Sequence, residues 1–302
     1  MKSAIHDGNF GHLYPFQSHF LKIHELRYHY LDEGRGEPLV MLHGNPTWSF
    51  YFRRLVFAFR ERYRVIVPDH MGCGLSDKPG LDAYDFRLQS RIGDLDRLMR
   101  HLDPQGPITL ILHDWGGMIG LGWALENLER VGRLVIMNTS GFFPPGGKQI
   151  PFRLKMIRTP NPVMSWAVLR LNLFARGAIH MATRRRMPAD VRAGLLAPYN
   201  SPRNRLATLK FVQDIPLSTN DPGGSIVQSV SEQLERIGSR PTLLVWGAHD
   251  FVFGQSYYDE FRRRLPAAEA HWLPEAGHYL LEDAPEKIVD LIGTFLNKPA
   301  FR

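Results

Sequence analysis

The sequence predicts an α/β protein: an open, doubly wound, mostly parallel sheet of eight strands, interrupted by a helical insertion. Three observations lead there. LVMLHG (39–44), YRVIVPDH (63–70), ITLILH (108–113) and RLVIMN (133–138) are near-continuous apolar runs rich in Val, Ile and Leu. Strands of a parallel sheet have that character because helices cover both faces and neither meets water. Segments with helical spacing separate these runs, and such alternation argues for βαβ units. Finally, residues 141 to about 232 contain no strand-like run and read as helices divided by prolines and polar turns. The expected organisation is a sheet domain, 1–140 with 233–302, holding a helical cap at 141–232.

The elements follow in order. HFLKIHELRYHYLDEG (19–34) reads as two strands around a polar turn, ahead of the run at 39–44. Helical spacing over 49–61 leads to the run at 63–70. A helix over 85–102 places Phe86, Ile92, Leu95, Leu98, Met99 and Leu102 mostly along one face. ITLILH then runs into a helix beginning WGGMIGLGWAL, and RLVIMN precedes the insertion, which opens FFPPGG. After it come PTLLVWG (241–247), a helix near 255–265, AHWLP (270–274) and a last helix over 284–296.

The 302 residues are 44% hydrophobic and 22% charged, the balance of a globular enzyme with a sizeable core. MKSAIHDGNFGHLYPF has no apolar stretch after its lysine, so no signal peptide is expected. No run approaches the roughly 18 apolar residues of a membrane span. The lone Cys73 excludes an internal disulfide and fits the cytoplasm. The net charge of +7 leaves room for an anionic partner or surface, but no nucleic-acid fold signature is present. Arg184, Arg185 and Arg186 read as a solvated basic helix end.

Asp114, in ILHDWGGMIG (111–120), stands where a buried strand turns into a helix, and a carboxylate there must be paired or used. The layout is that of a nucleophile elbow, whose sharp turn requires small neighbours. Gly116 and Gly117 meet that need on the helix side, whereas Leu112 replaces the usual first glycine. Read alone, Asp114 is equally an N-cap. Two downstream residues favour catalysis. His278 lies in LPEAGHYLLEDAP and Asp250 ends VWGAHD, each in a loop after a strand. A nucleophile needs a base, and the base an acid to orient it. All three groups fall at the strand edge where open α/β sheets form their crevices. HGNPTW (43–48), after LVML, supplies an amide to stabilise developing negative charge. The Asn45 side chain and the Trp115 indole add two neutral donors for a leaving anion.

Together, HGNPTW, PDHMGCGLSDKP, HDWGG, WGAHD and PEAGHYLLEDAP resemble the haloalkane dehalogenase family of the α/β-hydrolase fold. The resemblance implies Asp114 as nucleophile, His278 as base, Asp250 as acid, and Asn45 with Trp115 as the anion-binding pair. Some members carry the acid after the preceding strand, where this chain has Asn138. The insertion, through LNLFARGAIHMA, APYNSPRNRLATLKFVQDIPL and DPGG, resembles the β-lactone decarboxylases of bacterial long-chain olefin biosynthesis, a branch of the same group. That branch implies a cis-β-lactone substrate giving a long-chain cis-alkene and carbon dioxide, and association with other olefin-biosynthesis enzymes. Haloalkane dehalogenation is the alternative, and epoxide hydrolysis a weaker one, because Tyr199 is the only tyrosine in the insertion. In each case the ligand is a small hydrophobic molecule, and neither cofactor nor metal is expected.

Phe142, Phe143, Met156, Trp166, Leu173, Phe174 and Phe211 are expected to line an apolar tunnel beneath the cap. Other residues read as structural: Cys73 as packing, Asp69 and Asp77 as ties for their loop's backbone, and His113 as a hydrogen-bond partner beside the nucleophile. The Asn138-Thr-Ser sequon is incidental after a buried strand.

Overall fold

The computed structural model describes residues 10–147 and 149–301, and most of the stretch read above for a leader lies outside them. The eight strands form one sheet: β1 (His19–Ile23), β2 (Leu26–Glu33), β3 (Pro38–Leu42), β4 (Arg64–Pro68), β5 (Ile108–Asp114), β6 (Val131–Thr139), β7 (Thr242–Gly247) and β8 (Glu269–Leu273). Their order is β1-β2-β4-β3-β5-β6-β7-β8. The pairs β1·β2 and β2·β4 are antiparallel, and every later pair is parallel. After β3 the chain moves outward to β4 and then returns past β3 to β5. Their loops therefore leave in opposite directions and open a crevice at the carboxyl ends of β3 and β5.

Three helices precede the insertion: α1 (Arg53–Phe59), α2 (Leu88–Leu102) and α3 (Trp115–Glu126). Between β6 and β7 lie α4 (Phe152–Arg158), α5 (Pro162–Leu171), α6 (Leu173–Met181), α7 (Ala189–Leu196), α8 (Leu206–Gln213), α9 (Gly224–Glu232) and α10 (Leu234–Ile237). α11 (Gln255–Arg264), α12 (Leu280–Asp283) and α13 (Pro285–Leu296) complete the chain.

Strand side chains alternate between two cores, as a period of two requires. Val40, Leu42, Leu110, Leu112, Leu134 and Ile136 join α2 and α3 on one face. Leu39, Met41, Ile111, Val135 and Met137 join α1 and α13 on the other. Leu154, Ile157, Val168, Leu209 and Val212 form a smaller core within the insertion. Val227 and Val230 of α9 instead belong to the sheet-side core, against α3.

Two expected helices differ at their starts. The segment from 49 opens as a 3-10 turn, Ser49–Phe52, before α1. α2 begins at Leu88 rather than 85, because Phe86 takes a left-handed backbone (φ 59) that no helix accommodates. Arg184–Arg186 are exposed and lie in the loop after α6 rather than at a helix end, with the backbone amides of Arg184 and Arg185 donating to Asp283.

Candidate active site

Asp114 ends β5 at φ 51 and ψ −128, a backbone conformation that costs a non-glycine residue strain. Packing over-determines that strain. A β-carbon at Gly116 would collide with the Leu42 carbonyl, one at Gly117 with the Thr139 side chain, and one at Gly44 with the Asp114 carboxylate itself. The irregular Leu112 is accommodated because Gly120 leaves room for its side chain. Asp114 sits at the N-terminus of α3 but makes no side-chain cap bond. Its Oδ1 instead accepts the Asn45 backbone N–H at 2.7 Å. Gly116→Ala should cost about 3 kcal/mol, since a carbonyl in mid-fold cannot step aside. An unchanged denaturant midpoint would contradict this packing.

The structure brings the three predicted residues together. His278 Nε2 lies 3.4 Å from Asp114 Oδ2, and its Nδ1 lies 2.8 Å from Asp250 Oδ2. Asp250 also accepts from Asn138 Nδ2 at 2.6 Å and from the backbone N–H groups of Val252 (2.7 Å) and Phe253 (3.0 Å). Burial opposes its ionisation, but His278 and these donors prevail and hold it below the usual carboxylate range. Burial likewise disfavours the His278 imidazolium, yet Asp250 and then Asp114 outweigh it and raise the pKa to about 10. His113 Nε2 pairs with the His278 carbonyl at 2.8 Å, and burial, with the neighbouring His278, pushes its own pKa down to about 3. It is a neutral support for the His278 loop, as expected.

Because the folded protein raises His278 from 6.5, the interaction contributes stability that is fully present below about pH 6.5 and is lost as pH rises through about 10. Removing the Asp114 carboxylate, 3.4 Å from the ring, should move that titration. In Asp114→Asn the His278 ring is expected to titrate lower by NMR than in the parent protein. An unmoved titration would show that the two groups are not coupled.

Asn45 and Trp115 both line the cavity above Asp114. The Asn45 amide donates to the Thr208 carbonyl of α8 at 3.0 Å, so the insertion helps orient it. Trp115 packs edge-on against Phe211 at 5.2 Å, and the buried Arg91 guanidinium lies 3.6 Å over the Phe211 ring. Arg91 carries no sequence signal of its own and reads as one more charge on an amphipathic helix. Asn138 was undervalued: its Oδ1 accepts the Gly247 N–H at 2.8 Å while its amide grips Asp250, locking the ends of β6 and β7 together. The uncharged residue at the alternative acid position was the available signal.

The cavity holds roughly 520 Å³ and is walled mostly by apolar side chains. Its charged lining residues are Asp114, His278 and, from α4, Arg153. Phe142, Met156, Leu173 and Phe174 line it as expected, whereas Phe143, Trp166 and Phe211 do not. Phe211 is fully buried behind Trp115, Phe143 packs against the sheet-side core, and Trp166 faces outward at 55% exposure. Tyr199 is absent from the wall, its hydroxyl donating to the Thr47 carbonyl at 3.2 Å. Tyr257 and Tyr279 reach the cavity from the sheet domain instead, a contribution missed by looking for tyrosines only in the insertion. Burial pushes Tyr257 up to about 12, so it stays a protonated donor.

The loop residues set aside as structural behave so. Asp69 accepts the N–H groups of Ser49 and Leu75, each at 2.7 Å, and Asp77 accepts the N–H of Arg27 at 2.9 Å. Burial pushes the Cys73 thiol up to about 11, which leaves it unreactive. Among the described residues no His, Cys, Asp and Glu side chains are grouped to hold a metal ion.

A carboxylate on a strained elbow, a doubly paired histidine and an apolar chamber define a member of one enzyme fold family: the α/β hydrolase fold matches residues 37–285, and the chain belongs to it. It is 43% identical to the cis-3-alkyl-4-alkyloxetan-2-one decarboxylase of Shewanella oneidensis, over 95% of this chain and 90% of that one. Identity to the enzyme of the same name from Xanthomonas campestris pv. campestris is 47%, over 89% and 92%. Haloalkane dehalogenase 2 of Mycobacterium tuberculosis is 32% identical over 93% and 95%. Among solved structures, a haloalkane dehalogenase of Bradyrhizobium elkani matches with a TM-score of 0.82 at 23% identity, covering 93% of this chain and 98% of that one, a likeness of fold. The resemblance carried by the motifs, to the dehalogenase-like group and its decarboxylase branch, therefore holds.

Proposed function

We propose that the protein decarboxylates cis-β-lactones bearing two long alkyl chains to cis-alkenes and carbon dioxide. The observation that carries this reading is the placement of the Asp114 carboxylate, beside His278, at an apolar cavity of roughly 520 Å³. The two relatives named for an oxetanone carboxyl-removing reaction support the same substrate class.

The chemistry balances without water. Asp114 attacks the ring carbon that bears the lactone oxygen. That carbon–oxygen bond breaks, leaving an alkyl ester on the enzyme and a free carboxylate on the substrate. The carbon–carboxylate bond then supplies the electrons of the double bond, carbon dioxide departs, and Asp114 leaves as carboxylate. Inversion at the first step followed by anti departure at the second gives the cis-alkene from the cis-lactone. Asn45 and Trp115 donate to the released carboxylate oxygen, and His278, held charged between two carboxylates, balances the anion without transferring a proton. We assign Asp250 to orienting His278, and residues 141–232 to a cap that excludes water. No cofactor enters the scheme. The lone cysteine favours a cytoplasmic setting, and olefin-biosynthesis enzymes are the proposed associates.

The second reading is haloalkane dehalogenation, favoured by the donor pair Asn45 and Trp115, which serves a departing halide equally well, and by the 32%-identical relative. Product analysis tests the first reading. A long-chain cis-β-lactone should give cis-alkene and carbon dioxide in equal amounts. A β-hydroxy acid as the product would overturn it.

A further inference from the structure

From residue 130 to 189 the chain has no Asp or Glu, while nine Lys and Arg stand between 148 and 186. This stretch includes α4, α5 and α6, which leave unusual amounts of apolar surface uncovered. Phe152 is 73% exposed, Val163 67% and Trp166 55%, and Leu171 and Leu173 are exposed beside them. The pattern is helical rather than scattered. Val163, Trp166 and Arg170 share one outward face of α5, and Leu173, Arg176 and His180 share one of α6. Both sets are spaced three and then four residues apart. Arg158 is paired with Asp221 at 2.8 Å, but Arg153, Lys155, Arg170 and Arg176 make no ion pair among the described residues. Arg153, Met156, Leu173 and Met181 are exposed and also line the cavity, so the chamber reaches the surface among these helices.

We infer that the outer face of α4, α5 and α6 docks on an anionic lipid surface, bringing the cavity mouth against the acyl region. Exposed aromatic and aliphatic side chains interleaved with unpaired basic ones are what such a surface takes up: the apolar groups enter the boundary region and the cations meet the headgroups. A second copy of the chain is a poor occupant, because it would bring an equally basic face. Among the described residues no helix is long and apolar enough to cross a membrane, so the contact is peripheral. A dialkyl ligand would then pass between bilayer and cavity without crossing water.

Flotation of the full chain tests this without any turnover, so its outcome is separate from that of the catalytic reading. Vesicles of phosphatidylglycerol mixed with phosphatidylcholine should bind at least about tenfold more protein than phosphatidylcholine alone, with binding weakened by salt. The triple variant Phe152→Glu/Val163→Glu/Trp166→Glu changes no cavity-lining residue. It should lose about tenfold in binding to the anionic vesicles while keeping its circular dichroism. Arg170→Glu/Arg176→Glu should lose the preference for anionic over neutral vesicles. Failure of the parent protein to float with anionic vesicles would overturn the inference, including the case in which the face binds only another protein. Undiminished flotation of the triple variant would overturn it equally.

Discussion

Asp114→Ala is expected to abolish turnover of lactones and alkyl halides alike, lowering kcat by at least about 10⁴-fold. Every proposed route begins with a bond from this carboxylate, and among the described residues no other acid lines the cavity. The fold should survive, because the elbow is held by Gly44, Gly116 and Gly117 rather than by the side chain. Mass spectrometry gives the positive control: a bromoalkane should leave an alkyl ester on the parent protein's His278→Gln variant, and none once Asp114 is also replaced. Retained activity in Asp114→Ala would remove the covalent step from the mechanism.

His278→Gln should divide the two chemistries. Hydrolytic dehalogenation should fall by about 10³-fold or more and accumulate the ester, because the second step needs a base to activate water. Lactone decarboxylation should fall by no more than about a hundredfold, the scale of losing one electrostatic contact, since its ester leaves without water. The geometry explains how one residue can serve either exit. In the free enzyme His278 is charged, with a pKa of about 10 sustained by Asp250 and Asp114. Alkylation of Asp114 by a halide removes one of those charges and lowers the pKa, so a base emerges there only after the ester has formed, whereas the carboxylate released from a lactone keeps the ring charged. Equal losses in both reactions would contradict a water-free exit.

The sheet was legible because its strands are buried on both faces, and unbroken apolar runs admit few other readings. The candidate triad was legible through position: Asp114 ends a strand, Asp250 and His278 each follow one, and the topology delivers those strand ends to one edge. What stayed hidden depended on which way side chains turn. Trp166 and Phe174 carry the same apolar signal, yet one faces solvent and the other the cavity, because only the packing of the insertion's helices decides the outward face. Phe211 is apolar like the cavity wall but supports Trp115 from behind. Asn138 and Arg91 escaped because their importance lies in partners far along the chain, such as Asp250, 112 residues away. The 3-10 start at Ser49 and the late start of α2 reflect tertiary ties, which composition does not record.

The kcat/KM ratio between a long-chain cis-β-lactone and a bromoalkane of matched length, both on the unmodified protein, tests the central claim most directly. The proposed anion site cannot discriminate, since the donors of Asn45 and Trp115 would suit halide and carboxylate oxygen alike, so the difference must lie in transition-state fit. The lactone is expected to be preferred by at least about a hundredfold, because its ester collapses without awaiting water and its two chains fill an apolar cavity. A bromoalkane that equals or exceeds the lactone would contradict the decarboxylase assignment and leave the protein a dehalogenase.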